Sequence, residues 1–225
     1  MKQILARPAF WLAWQSPLLA AWLWTSGRLI PHVETDTSSY QDVPLTSLSE
    51  ALSGIRTLGY PLFLRVADSL FGGLDAVPWL HLAIHLASVS LLCLGLLRAG
   101  LDRAAATAAA SAVLWGKGAF EYIPIVLGDS LGLSLAVSAV GLLLCALSAP
   151  RQLALWIGLA ALIALAYHVR PAYLFLVPFV PLLGILLHRN VIGLGAPQKS
   201  STYSVGVRLT AAASVPLLAW CVLRW

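Results

Sequence analysis

The chain has 225 residues, of which 60% are hydrophobic and 10% charged, and its formal net charge is +5. Soluble domains average roughly 45–50% apolar and about 25% charged, so an aqueous globule of this size could not hide so much apolar surface, and the bilayer is its natural solvent. The basic residues are spread singly, without cluster or stripe, which excludes nucleic acid as a partner and leaves them as topology determinants.

Lys2 and Arg7 precede an apolar run over residues 8–27. The run is long for the core of a signal peptide and no A-x-A site closes it, so it reads as an uncleaved first span over residues 9–29. A polar loop follows, over about residues 30–76. It carries Glu34, Asp36, Asp42 and Glu50, four of the chain's nine acids in its first half alone. Two short interfacial helices are expected in it. Ser47-Leu48-Ser49-Glu50 has capping-box spacing, so one helix starts near Ser47 and stops at Gly54. The second has Pro61 in its first turn, an apolar stripe of Leu64, Ala67 and Phe71, and a stop at Gly72-Gly73.

Further spans are expected over residues 77–97, 104–120, 130–147, 153–167, 172–187 and 206–223. The expected fold is therefore an all-α membrane protein of about seven transmembrane helices, with two interfacial helices in the first external loop. No linker or internal repeat divides it, so residues 1–225 form a single domain. Alternation places Lys2, Arg7, Arg98, Arg103, Arg151, Arg189, Lys199 and Arg208 on one side, against Asp102 alone. Six basic residues and the other eight acids fall on the opposite side. The positive-inside rule then puts the N-terminus in the cytoplasm and the Asp36 loop outside.

Several apolar-run residues have bland readings. Cys93, Cys145 and Cys221 are small core residues with no disulfide or zinc spacing. His81 and His85 stand at i, i+4, a spacing that can bind metal. With no third ligand in the motif, interhelical hydrogen bonding is the favoured reading. Ser130 reads as a helix cap, since no nucleophile elbow surrounds it. The Ala-rich run over residues 104–112 is a close-packing helix face. Gly72-Gly73 and Gly193-Leu194-Gly195 lack the strand–helix context of a nucleotide site.

The expected topology gathers Asp36, Tyr40, Arg56, Tyr60, Glu121, Asp129, His168 and Arg170 at one membrane face. Carboxylates beside guanidinium groups suit an anionic, lipid-linked ligand. Arginine can bond two phosphate oxygens, and a carboxylate can take a proton from an attacking hydroxyl. Solvation of each loop is the competing account for any one of these charges.

Asp36-x-x-x-Tyr40, followed by Arg56-Thr57-Leu58-Gly59-Tyr60-Pro61-Leu62-Phe63-Leu64, resembles the first external loop of GT-C fold glycosyltransferases. That class includes protein O-mannosyltransferases, aminoarabinose transferases and bacterial polyprenyl-phosphate-sugar transferases. The resemblance continues at Gly128-Asp129-Ser130 and at Arg170-Pro171, and covers the seven-span module such enzymes share. It implies an integral enzyme of a bacterial-type inner (plasma) membrane that passes a sugar, usually with inversion, from a polyprenyl-phosphate donor to an extracytoplasmic glycan, lipid or protein acceptor. It implies Asp36 as general base, Asp129 as a second catalytic acid orienting acceptor or metal, and Arg56 and Arg170 as phosphate contacts. Glu34, Tyr40, Tyr60, Glu121 and His168 complete the implied substrate-binding set, with a divalent metal as candidate cofactor. Many relatives carry adjacent Asp-Glu in this loop. Here Thr37 follows Asp36 and Glu34 lies two residues before it, so Glu34 is the alternative base, and the spacing to Tyr40 favours Asp36. Two rival functions remain: a non-catalytic GT-C-like subunit or scaffold binding lipid or a partner membrane subunit, and a small transporter. Ionisable groups at span ends and the lack of repeats disfavour the transporter.

Overall fold

A computed structural model of the chain describes residues 8–43 and 57–192. The helix expected from Ser47, together with Glu50, Arg56 and the span over residues 206–223, lies outside them. The described residues are helical, with one isolated bridge pair and no strand.

The elements in order are α1 (Pro8–Thr25), α2 (Thr37–Gln41), α3 (Gly59–Phe71), a 3-10 turn (Leu74–Ala76), α4 (Val77–Arg98), α5 (Arg103–Leu114), α6 (Lys117–Tyr122), α7 (Gly128–Ser148), α8 (Leu153–Val169), a second 3-10 turn (Pro171–Phe175) and α9 (Leu176–Ile192). Among the described residues two stretches, Leu74–Arg98 and Gly128–Ser148, are long and apolar enough to cross a membrane. Leu153–Val169 and Pro171–Leu187 are shorter apolar helices. Apolar side chains also cover the outside: Trp14, Trp24, Ile157, Phe179 and Leu182 are all exposed, a surface that suits lipid better than water.

Local signals account for several boundaries. Gly72 adopts φ 73°, the left-handed cap that ends α3, and its N–H bonds the Asp68 carbonyl. Asp102 caps α5 by accepting from the Ala104 and Ala105 amides at 2.9 and 3.0 Å. Pro78 sits in the first turn of α4, where its missing N–H costs nothing. On α3, Tyr60, Leu64 and Ala67 face inward, but Phe71 is exposed beside Gly72 and does not extend the buried stripe.

The expected third span is not one helix. α5 has 12 residues, about 18 Å of rise, against the roughly 30 Å of a hydrocarbon core. The helix ends at Trp115, and Gly116 is extended before α6 begins. A hydrogen-bond chain to α1 fixes the end: Trp115 Nε1 donates to Gln15 Oε1 at 3.0 Å and Gln15 Nε2 donates to Ser111 Oγ at 2.9 Å. The break leaves the last carbonyls of α5 without the amides a continuing helix would supply, beside the buried Leu114. His81 Nδ1 bonds the Ile123 carbonyl at 3.1 Å, and His85 faces the Val113 and Leu114 backbone. His81 thus bonds the chain where α6 ends, while His85 Nε2 finds no partner among the described residues.

The bundle has two cores that share α4. One joins α1, α4 and α5 through Leu19, Leu23, Leu82, Val89, Ala106 and Leu114. The other joins α3, α4, α7, α8 and α9 through Tyr60, Val77, Leu135, Leu143, Leu159 and Val180. α4 and α7 run parallel and touch along small residues. Ser138 Oγ donates to Ser88 Oγ at 2.8 Å. Further along, a Cβ on Gly95 would lie 2.4 Å from the Gly141 carbonyl oxygen, and one on Gly141 would lie 2.7 Å from the Leu92 nitrogen. This is main-chain contact between helices, the packing that small residues permit in membranes.

Candidate functional site

α4 starts 11 residues before Ser88 and α7 starts 10 before Ser138, so both helices open at nearly the same level. Three connecting segments meet there. Arg28 Nη1, just after α1, donates to the Phe120 carbonyl at 3.0 Å. His32 pairs with the α6–α7 connection through His32 N to Pro124 O, 2.8 Å, and Val126 N to His32 O, 2.9 Å. Thr37, fully buried, donates from Oγ1 to the Val126 carbonyl at 3.1 Å and accepts from the Glu34 amide at 2.9 Å. The first loop is therefore tied to a segment that ends, three residues later, at Asp129.

The third segment arrives from α8. A Cβ on Gly59 would stand 2.7 Å from the His168 carbonyl, and one on Gly128 would stand 2.9 Å from the Val169 carbonyl oxygen and 3.6 Å from the Tyr60 ring. Two glycines thus bring the start of α3, the start of α7 and the end of α8 together main chain to main chain. One turn into α7, the Tyr173 ring lies over Gly132, and its hydroxyl donates to the Asp129 carbonyl at 3.4 Å. At this junction the Arg170 guanidinium pairs with the Asp129 carboxylate, with side chains 37% and 20% exposed.

The remaining sequence candidates sort into three surroundings. Asp36 is exposed at the start of α2, and its carboxylate does not cap that helix. Glu34 Oε1 lies 3.3 Å from His32 Nε2 on the surface. Glu121 pairs with Lys117 at 3.2 Å along α6, an exposed i, i+4 pair, and not with the Asp129–Arg170 couple. His168 is half-buried, and its ring meets Tyr167 edge-on.

Tyr40 and Tyr60 depart from the expectation of ligand contact. Tyr60 is fully enclosed and Tyr40 nearly so. Their rings meet edge to face at 5.2 Å, Phe63 stacks on Tyr60, and the Tyr60 hydroxyl lies 3.5 Å from His81 Nε2. Burial first, and the neighbouring Tyr40 second, push the Tyr60 hydroxyl well above its usual range, so it stays neutral. Both rings belong to the core that joins α3, α4, α7, α8 and α9. Ser130 also departs: it is buried inside α7, and Leu127 occupies the cap position without a side-chain bond.

Thr37, Tyr173, Gly59 and Gly128 were not singled out in the sequence. The signal for Thr37 was its place between Asp36 and Tyr40. For the glycines it was their repeated position just before Tyr60 and Asp129, at chain segments that must converge. A divalent metal finds no group of three His, Cys, Asp or Glu side chains among the described residues able to hold it. No family model matches the chain, and neither a curated protein nor a solved structure does.

Proposed function

We propose that the protein is a polytopic plasma-membrane glycosyltransferase of the GT-C kind, with about seven spans, a cytoplasmic N-terminus and an extracytoplasmic site. The observation that carries this reading is the convergence at one end of an apolar bundle. The Asp36 loop, the Asp129 helix start and the Arg170 helix end are tied together there by the Thr37 hydroxyl on Val126, by main-chain contacts at Gly59 and Gly128, and by the Asp129–Arg170 ion pair. Acids and an arginine at a bilayer surface suit a ligand whose head is anionic and whose tail is apolar.

The chemistry follows from the residue types. Asp36 accepts the proton of the acceptor hydroxyl as its oxygen attacks the anomeric carbon. The bond from that carbon to the donor phosphate breaks, and the electron pair leaves with the phosphate. Arg170, with Arg56 from the same loop system, offsets the charge gathering on the departing group. Asp129 is the second acid, held against Arg170. Tyr40 and Tyr60 position the loop, while Glu34, Glu121 and His168 border it. The polyprenyl tail stays in the bilayer beside the exposed apolar helix faces.

One assay tests this. Wild-type protein and Asp36→Asn receive labelled polyprenyl-phosphate sugars with candidate glycan, lipid and protein acceptors. Loss of the positioned base should lower turnover by about 10²–10⁴-fold. Equal turnover in both would remove Asp36 from the mechanism and bring Glu34 forward. Binding of the lipid without turnover in either protein would favour the scaffold that serves a partner membrane subunit.

A further inference from the structure

The Asp129–Arg170 pair is placed where an anionic ligand would have to compete with it. Asp129 is held from behind: Tyr173 bonds its carbonyl, and Gly128 rests on the Val169 main chain. The main chain that carries its carboxylate is therefore held beside Arg170. Arg170 is the more exposed partner and carries five N–H donors, more than one carboxylate can accept. Its spare donors can meet a second anion with the pair intact, but turning the whole guanidinium fork to that anion means giving up the carboxylate.

The two ends of the proposed reaction differ in charge. The donor phosphate is a diester with two free oxygens and one negative charge. The released lipid phosphate is a monoester with three free oxygens and a charge near two, its second proton leaving around pH 6. An arginine at the site would hold the product more tightly than the donor, and a tightly held product slows turnover.

We propose that Asp129 is a product-release residue that competes with the lipid phosphate for Arg170. This rests on the reading above that Arg170 meets the phosphate, and it goes further by giving the carboxylate a purpose after the chemistry. A monoester draws Arg170 away from Asp129 and loses in affinity the whole cost of breaking the pair. A diester gains less from Arg170 and can bind with the pair intact, so it loses less. Asp129 thus weakens the product more than the donor and returns the arginine to its starting partner.

The test uses the full chain in phosphatidylcholine nanodiscs, with decaprenyl phosphate and its methyl ester as the two probes. Asp129→Asn, which keeps size and removes charge, should bind decaprenyl phosphate about fivefold more tightly and the methyl ester by less, in line with a half-exposed ion pair. Asp129→Glu keeps the competing charge and should stay close to wild type, which separates competition from a folding defect. Arg170→Gln should weaken decaprenyl phosphate. If Arg170→Gln weakens it while Asp129→Asn also weakens it or leaves it unchanged, the carboxylate only props the arginine, and the release role is overturned. If Arg170→Gln has no effect, the phosphate reading of Arg170 falls and the release role falls with it.

Discussion

The two halves of the α4–α7 pair are built on opposite rules. In the half beyond Ser88 and Ser138, Gly95 and Gly141 bring the helices into main-chain contact, leaving no room even for a methyl group. In the half toward the loops, the space beside α4 is filled by the Tyr60 ring, His81 and the irregular Ile123–Val126 chain. One half is closed by the absence of side chains, the other is held apart by bulky and polar ones. The difference shows how a bundle with little charge can host a polar site. The closed half fixes the helix axes, so the open half can carry groups that would be costly inside an apolar core.

Substitutions in each half should break this contrast to different degrees. The largest effect is expected from Gly141→Leu. A Cβ there already meets the Leu91 and Leu92 backbone at 2.7–2.8 Å, and neither main chain can move aside without unwinding α4. The yield of monodisperse protein in detergent should collapse. Near-normal yield would mean that the two halves do not depend on each other as described.

His81→Leu should act in the open half and more mildly. It leaves the Ile123 carbonyl without its 3.1 Å partner, at about 1–3 kcal/mol for a buried unpaired group. Hydrogen exchange at the Ile125 and Val126 amides should speed up, while amides around Gly141 stay protected. Equal loosening at both ends would erase the contrast.

The smallest effect belongs to Tyr60→Phe, which removes only the 3.5 Å hydroxyl contact, worth about 0.5–1.5 kcal/mol at neutral pH. Its signature is in the pH dependence. Burial raises the Tyr60 hydroxyl in the folded protein, while the unfolded chain ionises near pH 10. The folded state keeps a proton that the unfolded state gives up, so stability is fully present below about pH 10 and declines above it. The Phe variant lacks this term, and its thermal melting should fall less steeply between neutral and strongly alkaline pH. Parallel curves would show that Tyr60 is wetter than its position indicates.

Much of the helical order is legible in the sequence, because long apolar runs carry their own boundaries. Residues 77–97 and 130–147 were expected as spans, and the helices run Val77–Arg98 and Gly128–Ser148. Pro61 and Gly72-Gly73 announce α3 because they act on their own backbone. The α5 break is different. The Ala-rich run looks continuous, and the partners at its end are Gln15, 96 residues away from Ser111 in the chain, and His85 on another helix, which faces the Val113 and Leu114 backbone. Hydropathy cannot register such partners. The charges were legible one by one, as loop acids and span-end arginines, but the pairing of Asp129 with Arg170 was not read. It could have been: an acid opening one helix and a base closing the next antiparallel one must arrive at the same level. Tyr40 and Tyr60 looked like ligand contacts because they sit among polar residues, whereas their depth is set by Gly59, Gly128 and the packing of α8.

The junction of Gly59 and Gly128 against His168 and Val169 also bears on how such a site can diversify. Its geometry is set by peptide planes rather than by rotamers, so the spacing between the Asp129 and Arg170 main chains is fixed there. Side chains around the rim can be exchanged for others without moving the main chain that carries the two charges. Only a change that adds a carbon at either glycine reaches the spacing itself, as a spacer slipped between machined faces would.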